Sequence, residues 1–279
     1  MTGSTAKRLQ LGKHLRRLRN DVGMSREEAA AMIECAPTKI THLETGHTTP
    51  RKTDQLVLLQ LYGADQETIT TLEELRQEAS QRGWWSTARL PSWLAAYVGL
   101  EDEAERLRVW ALGIIPGLLQ TPSYARLLHA QRDQLPADEL DKRVEARMRR
   151  QARLDGDRPM HLTAVLAEAA LRHCAYERSL AREQFHHLLA RARQPNIELY
   201  VLPLEAGISV GLSGAFTLLD FPDHLLPPAA YQEYAVGGHV IDDQSVVAQL
   251  ATLFGKLRGQ ALGIDEGLAL IAKLAKGNG

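Results

Sequence analysis

The sequence predicts an α+β protein: an all-α head of four to five helices, then a larger mixed body in which helices surround a small sheet. Three observations carry that expectation. Up to about residue 82 the apolar residues recur only at helical spacing. Beyond about residue 160, short apolar runs between Pro and Gly turns alternate with helical segments. Charge is also divided: residues 1–52 hold ten Lys and Arg against five Asp and Glu, a net of +5, while the whole chain carries −1 and the remainder therefore −6. A chain of 279 residues suits two unequal domains, expected at 1–82 and 83–279.

The head is read helix by helix. Leu11, Leu15 and Leu18 lie at i, i+4 and i+7 on one face, with Arg16, Arg17 and Arg19 around them, and Gly23 ends the segment. Ser25 is a good N-cap, and Glu28 completes a capping box for a second helix over 26–33. Glu34, Cys35 and Ala36 make a short turn. Pro37 opens a third helix over 37–44, where its missing N–H costs nothing; Ile40 and Leu43 point inward, and Gly46 suits the left-handed position after the end. Leu56, Leu59 and Leu61 mark a fourth helix over 53–62, and Ile69, Leu72 and Leu75 a fifth over 66–82.

In the body, helices are expected near 92–112, 122–132 and 138–154. A strand at 161–166 runs into a helix from Glu168, and a further helix covers 181–193. Strands follow at 196–202, 215–221 and 229–236, then helices at 246–262 and 265–275. Trp84, Trp85, Trp93 and Trp110 are expected to pack the junction and the first layer of the body, with a ligand box as the alternative.

Composition excludes several classes. No apolar run is long enough for a membrane span, and the N-terminus lacks the apolar core of a secretion signal, so a cytoplasmic location is expected. Cys35 and Cys174 are too few for a disulfide framework or a metal cluster. His186 and His187, adjacent on a helix, point in different directions and do not form a zinc motif. The glycine-rich stretch from Gly207 to Gly214 joins two strands instead of opening a helix, so it reads as a hairpin loop and not a phosphate cradle. No catalytic residue, metal or cofactor is expected.

Residues 24–46 carry the chemistry. Two short helices joined by a tight turn can lay the second in the major groove of DNA while the first lies over the backbone. That arrangement needs polar side chains early in the second helix of the pair and cations facing phosphate. Thr38, Lys39, Thr41 and His42 meet the first need; Arg26, Arg51 and Lys52 meet the second. Over about residues 9–62 the chain resembles the Cro/lambda-repressor-like (XRE-type) helix-turn-helix. The matching residues are Leu15, Leu18, Arg19, Gly23, Ser25, Ala29 and Ala30, then Ile40, Leu43, Glu44, Gly46 and Pro50. The resemblance implies a lambda-repressor-like DNA-binding head. Pro37, Thr38 and His42 would face bases, with Lys39 and Thr41 nearer phosphates. Arg26 stands where relatives often have a Gln that clamps the backbone, and Arg51 where a basic residue can approach the minor groove. Arg19 and Glu44 would form a structural ion pair, so that Glu44 reads no DNA. Thr41 reads equally well as a solvated position. Cys35 reads as a small hydrophobe, with a redox switch as the alternative, and His14 and His47 as solvated side chains.

The body carries a second resemblance. Residues 115–126 (IPGLLQTPSYAR), Trp84-Trp85, Arg143, Arg147, Arg150-Gln151, the 168–172 segment EAALR, Val201-Leu202-Pro203 and residues 214–221 (GAFTLLDF) resemble, in order over about 84–275, the WhiJ-like, antitoxin-like regulators of actinobacteria. It implies a double-stranded DNA operator, a homodimer on a two-fold site and a small acidic partner protein. Serines usual near Gly263 and Gly267 are absent here. From the residues alone, Pro116-Gly117 breaks a helix and Thr121-Pro122 starts the next. Arg143, Arg147 and Arg150 share a helix face and read as a solvated stripe; an Arg147–Glu168 pair and a landing patch for an acidic partner are the alternatives. The body is thus expected to sense a ligand, recruit a partner or mediate dimerisation. An interaction module whose main role is partner binding, and an enzyme tethered to DNA, remain as other classes.

Overall fold

The computed structural model describes residues 4–81, 84–87, 90–132, 135–207, 210–222 and 226–277. The chain forms two compact units, one of residues 1–86 with 223–226, the other of residues 87–222 with 227–279. No helix among the described residues is long and apolar enough to cross a membrane.

The first unit is helical: α1 (Ser4–Asp21), α2 (Arg26–Met32), α3 (Pro37–Glu44), α4 (Lys52–Leu61) and α5 (Gln66–Ala79). Their apolar faces meet in one core of Leu11, Leu15, Ile40, Leu43, Leu58 and Leu59 with Ala29, Ala30 and Tyr62. The capping box at α2 is complete: the Glu28 N–H donates to Ser25 Oγ at 3.1 Å, and the Ser25 N–H donates to Glu28 Oε2 at 2.7 Å. Asp65 caps α5 by accepting from the Thr68 N–H at 2.8 Å.

The second unit is mixed. It runs α6 (Ser92–Glu101), β1 (Arg106–Ala111), α7 (Pro122–Arg132), α8 (Ala137–Gln151), β2 (His161–Ala167), α9 (Glu168–Tyr176), α10 (Arg178–Arg191) and β3 (Ile197–Leu202). It continues with β4 (Phe216–Asp220), β5 (Ala229–Tyr234), β6 (Gly237–Ile241), α11 (Gln244–Gln260) and α12 (Ile264–Ala275). The six strands form one sheet in the order β3-β2-β1-β4-β5-β6. β1, β2 and β3 are parallel neighbours joined by helical crossovers, while β4, β5 and β6 continue antiparallel. The expected α+β architecture is therefore present, and its sheet is larger than the sequence suggested.

Several expectations are corrected. Residues 92–112 are not one helix: α6 ends at Glu101 and β1 follows. Leu107, Trp110 and Ala111 fit helical spacing, but β1 sits between β2 and β4, and a strand buried on both faces loses the alternation that marks strands. Its charged Arg108 is accommodated by a two-pronged pair with Asp220 of β4, at 3.1 and 2.9 Å. β6 was not anticipated, because Gly237, Gly238 and His239 make no apolar run; it is an edge strand whose glycines lie under the rings of Tyr234 and Tyr231.

The Gly207–Gly214 stretch is not a hairpin loop, since β2 and β1 lie between β3 and β4. Gly211 has a packing reason: a Cβ there would come within 2.8 Å of the Trp110 ring, whose Nε1 donates to the Gly211 carbonyl at 2.9 Å. The arginine stripe is not simply solvated. Arg150 is buried and pairs with the buried Glu101 at 2.6 and 2.8 Å. Arg147 does not pair with Glu168; it donates to Gln120 Oε1 at 2.7 Å. Glu168 instead accepts from Arg172 at 2.7 Å and from the Leu204 N–H at 2.9 Å.

Pro116-Gly117 breaks no helix, since β1 precedes it; the turn there is secured by buried amides. Gln184 donates to the Leu119 carbonyl at 2.7 Å and accepts from the Thr121 N–H at 2.8 Å. Thr121 Oγ1 caps α7 by accepting from the Tyr124 N–H at 3.3 Å.

Candidate nucleic-acid interface

The α2–α3 corner is built by local rules. α2 closes on a turn in which Glu34 takes a left-handed φ of 50°, and the Cys35 N–H returns to the Ala30 carbonyl at 3.0 Å. Cys35 is half-buried against the head core. Pro37 then sits at the first turn of α3 behind Ala36, which has no side chain to cap it. The early amides of α3 are consequently not occupied by a side-chain cap, the arrangement that suits an anion.

Ile40 and Leu43 of α3 are buried, and this sets which side chains face out: Pro37, Thr38 and His42 are exposed, while Lys39 and Thr41 are half-buried. Thr41 Oγ1 donates back to the Pro37 carbonyl at 3.4 Å. His42 makes an edge contact with the His47 ring at a centroid distance of 5.5 Å, so two imidazoles stand together at the exposed end of α3. His47 was expected only as a solvated side chain; a pair five residues apart across a helix end has no signature in sequence. Arg51 and Lys52 are exposed at the start of α4.

The charges behind this edge are committed. Arg19 Nε donates to Glu44 Oε1 at 2.5 Å and its Nη2 to Oε2 at 3.2 Å, both side chains buried; its Nη1 also donates to the Met24 carbonyl at 2.5 Å. Arg26 Nε reaches the same carboxylate at 2.9 Å while its side chain remains 37% exposed. Burial alone would raise the Glu44 carboxyl, but hydrogen bonds from Arg19 and Arg26 outweigh it and hold the group below its ordinary value. Lys39 Nζ is bound to Asp54 of α4 at 2.7 Å. The sequence had offered Arg26 and Lys39 to phosphate; the structure brings each to a carboxylate as well.

Two glycines let the frame close. A Cβ on Gly12 would lie 2.6 Å from the Leu43 and Glu44 carbonyl oxygens, so only glycine allows α1 to cross the end of α3. Gly46, at φ 70°, turns the chain against Leu9. Sequence reading found Gly46 from its place after a helix and missed Gly12, which lies inside a helix whose neighbour is not adjacent in sequence.

Comparison with known families gives two matches. Residues 10–72 match a family model described as a helix-turn-helix domain, which supports a DNA-binding regulator. Residues 94–273 match one described as a domain of unknown function, DUF5753. Searches of curated proteins and of solved structures found no match.

Proposed function

The chain belongs to the DUF5753 family, and from that premise and its helix-turn-helix head we propose that it is a sequence-specific transcriptional regulator of the XRE, WhiJ-like type. The observation that carries this reading is the outward face of α3: Pro37, Thr38 and His42 are exposed, as are Arg51 and Lys52 at the start of α4, while Glu44 is buried under two arginines. In this reading α3 enters the major groove, Thr38 and His42 address base edges, Pro37 packs against them, and Thr41 and Lys39 approach phosphates. Lys39 exchanges Asp54 for phosphate on binding. Arg26 keeps one edge on Glu44 and turns the other toward the backbone. Arg51 and Lys52 add phosphate contacts, Arg51 next to the minor groove.

The functional division is proposed at residues 1–82 for DNA binding and 83–279 for regulation, in a cytoplasmic, actinobacterial, non-enzymatic protein acting as a homodimer on a two-fold operator. Leu56 and Val57, exposed on α4, supply apolar surface for a second copy. For the body, ligand sensing, recruitment of a small acidic partner in antitoxin-like fashion, and dimerisation are the candidate roles, and an open cavity in the body favours sensing. The test is selection of bound sequences from random duplexes. The wild-type chain is expected to enrich a two-fold motif. Thr38→Ala and His42→Ala should each lose about 1–3 kcal/mol of discrimination at their base positions while keeping binding to random DNA. No enriched motif with folded wild-type protein would refute the reading.

A further inference from the structure

The body contains a cavity of about 710 Å³ that no assigned function uses. Its size is that of a site for a small organic ligand. Its walls are of two kinds. Trp93, Tyr97, Tyr231 and Tyr234 give it aromatic surface, while the Trp110 and Phe216 rings are packed in the core with Phe254 and Leu257 of α11. Arg143 and Arg147, one turn apart on α8, give it cationic surface.

The polar groups are held in place. Tyr97 stacks on Tyr231 at 4.2 Å, and the Arg150 guanidinium lies 5.4 Å over the Tyr97 ring while its fork grips Glu101. That pair neutralises itself. Burial pushes the Tyr97 hydroxyl well above its ordinary value, so it stays neutral. Arg147 is oriented through Gln120, a fully buried amide whose own Nε2 donates to the Ile115 carbonyl at 2.6 Å. Gly117 lies close to it: a Cβ there would stand 3.3 Å from Arg147 Nη1. The other carboxylate on the wall, Glu233, is on the exposed flank. The α8 side of the cavity is therefore cationic, with Arg147 held in place by Gln120, and it faces an aromatic wall.

Resting on the reading of the body as the sensing half of the regulator, we infer that this cavity binds a small molecule with a flat aromatic body and one anionic group. The anion, a carboxylate, sulfonate or phosphate, is received by Arg143 and Arg147, and the ring system by the aromatic wall. Neither half suffices alone: an uncharged ring brings no charge to the arginines, and a small inorganic anion leaves the aromatic wall unfilled.

The test uses the full chain and two fluorescent probes with the same rings. One is 1-anilinonaphthalene-8-sulfonate, which carries an anion; the other is N-phenyl-1-naphthylamine, which does not. The sulfonate is expected to saturate at one site per chain and to bind about tenfold or more tighter than the neutral amine, the effect of one charge-assisted contact. Arg147→Gln should remove most of that preference. Because it also loosens Gln120, Arg143→Gln on the half-exposed flank of α8 is the second variant, and should lower sulfonate affinity severalfold while leaving the neutral amine within about twofold. Ile114→Trp, at a rim residue that is 54% exposed, should weaken both probes. Equal affinity for the two probes, or sulfonate binding unchanged in both arginine variants, overturns the inference. Operator binding is measured separately on the same samples: its loss with probe binding intact counts against the head's role and not against this site.

Discussion

Glu44 is the residue on which the head's polar frame converges. One buried carboxylate answers Arg19 and Arg26, and Arg19 reaches on to the Met24 carbonyl. Removing one partner of such a group leaves buried charge uncompensated, at a cost of about 3–5 kcal/mol. Glu44→Gln is expected to destabilise the full chain by that order in urea unfolding near pH 7. The pH dependence follows from the direction of the shift. Because the folded value is depressed, the stabilisation is complete above the ordinary carboxylate value of 4.5 and is lost as pH falls through the lower folded value. The stability gap between wild type and Glu44→Gln should therefore narrow toward acid; a gap that is the same at neutral and acid pH would show that the charge is not what stabilises. This pairing was legible in advance only through the family resemblance. Nothing in the spacing of Arg19 and Glu44, twenty-five residues apart, identifies them as neighbours.

At the scale of elements, glycine has opposite meanings in two helices. Gly12 lies inside α1 where a Cβ would strike backbone oxygens of α3, which cannot yield as a side-chain tip can. Gly12→Ala should push α1 away from α3 and lower both the melting temperature and operator affinity. Gly255, inside α11, has nothing within 4 Å of its Cβ position. Gly255→Ala should stabilise by about 0.5–1 kcal/mol through the lower entropy of the unfolded chain. Paired thermal melts decide it: if the two variants shift in the same direction, the contact at Gly12 is not decisive. Both glycines look alike in sequence, each a single break in a helical pattern. The reverse problem arose at β1, where Leu107, Trp110 and Ala111 satisfy helical spacing and only pairing with β2 and β4 makes them a strand.

For the molecule as a whole, the separation of charge matters most. The +5 of residues 1–52, on a chain of −1, directs that segment to a polyanion, although residues 1–82 together carry only +1 because 53–82 hold six acids against two bases. Each phosphate contact made by a cation should contribute about −0.9 to the slope of log K against log salt. Arg51→Ala and Lys52→Ala are each expected to flatten that slope by about this amount, on operator and random DNA alike, and Arg26→Ala by less because Glu44 holds part of its guanidinium. Titrations at four or more salt concentrations measure it; a slope untouched by Arg51→Ala would remove that residue from the interface.

The sequence by itself determined the local features: the five helices of the head, the capping box at Ser25 and Glu28, the turn at Glu34, the inward face of α3, and with that Thr38, Lys39, Thr41 and His42 as its polar edge, of which Thr38 and His42 are exposed. These depend on residues within one or two turns of one another, where period and capping chemistry act. Only the tertiary structure decided which charges are spent and which are available. Lys39 is answered by Asp54, Arg26 by Glu44 and Arg150 by Glu101, each through contacts between elements distant in the chain. It also turned the Arg143–Arg150 face from a solvated stripe into one wall of a cavity. The physical reason is common to all of these: a period shows which way a side chain points, but its energy depends on the group it meets, and that is set by the packing of the other elements.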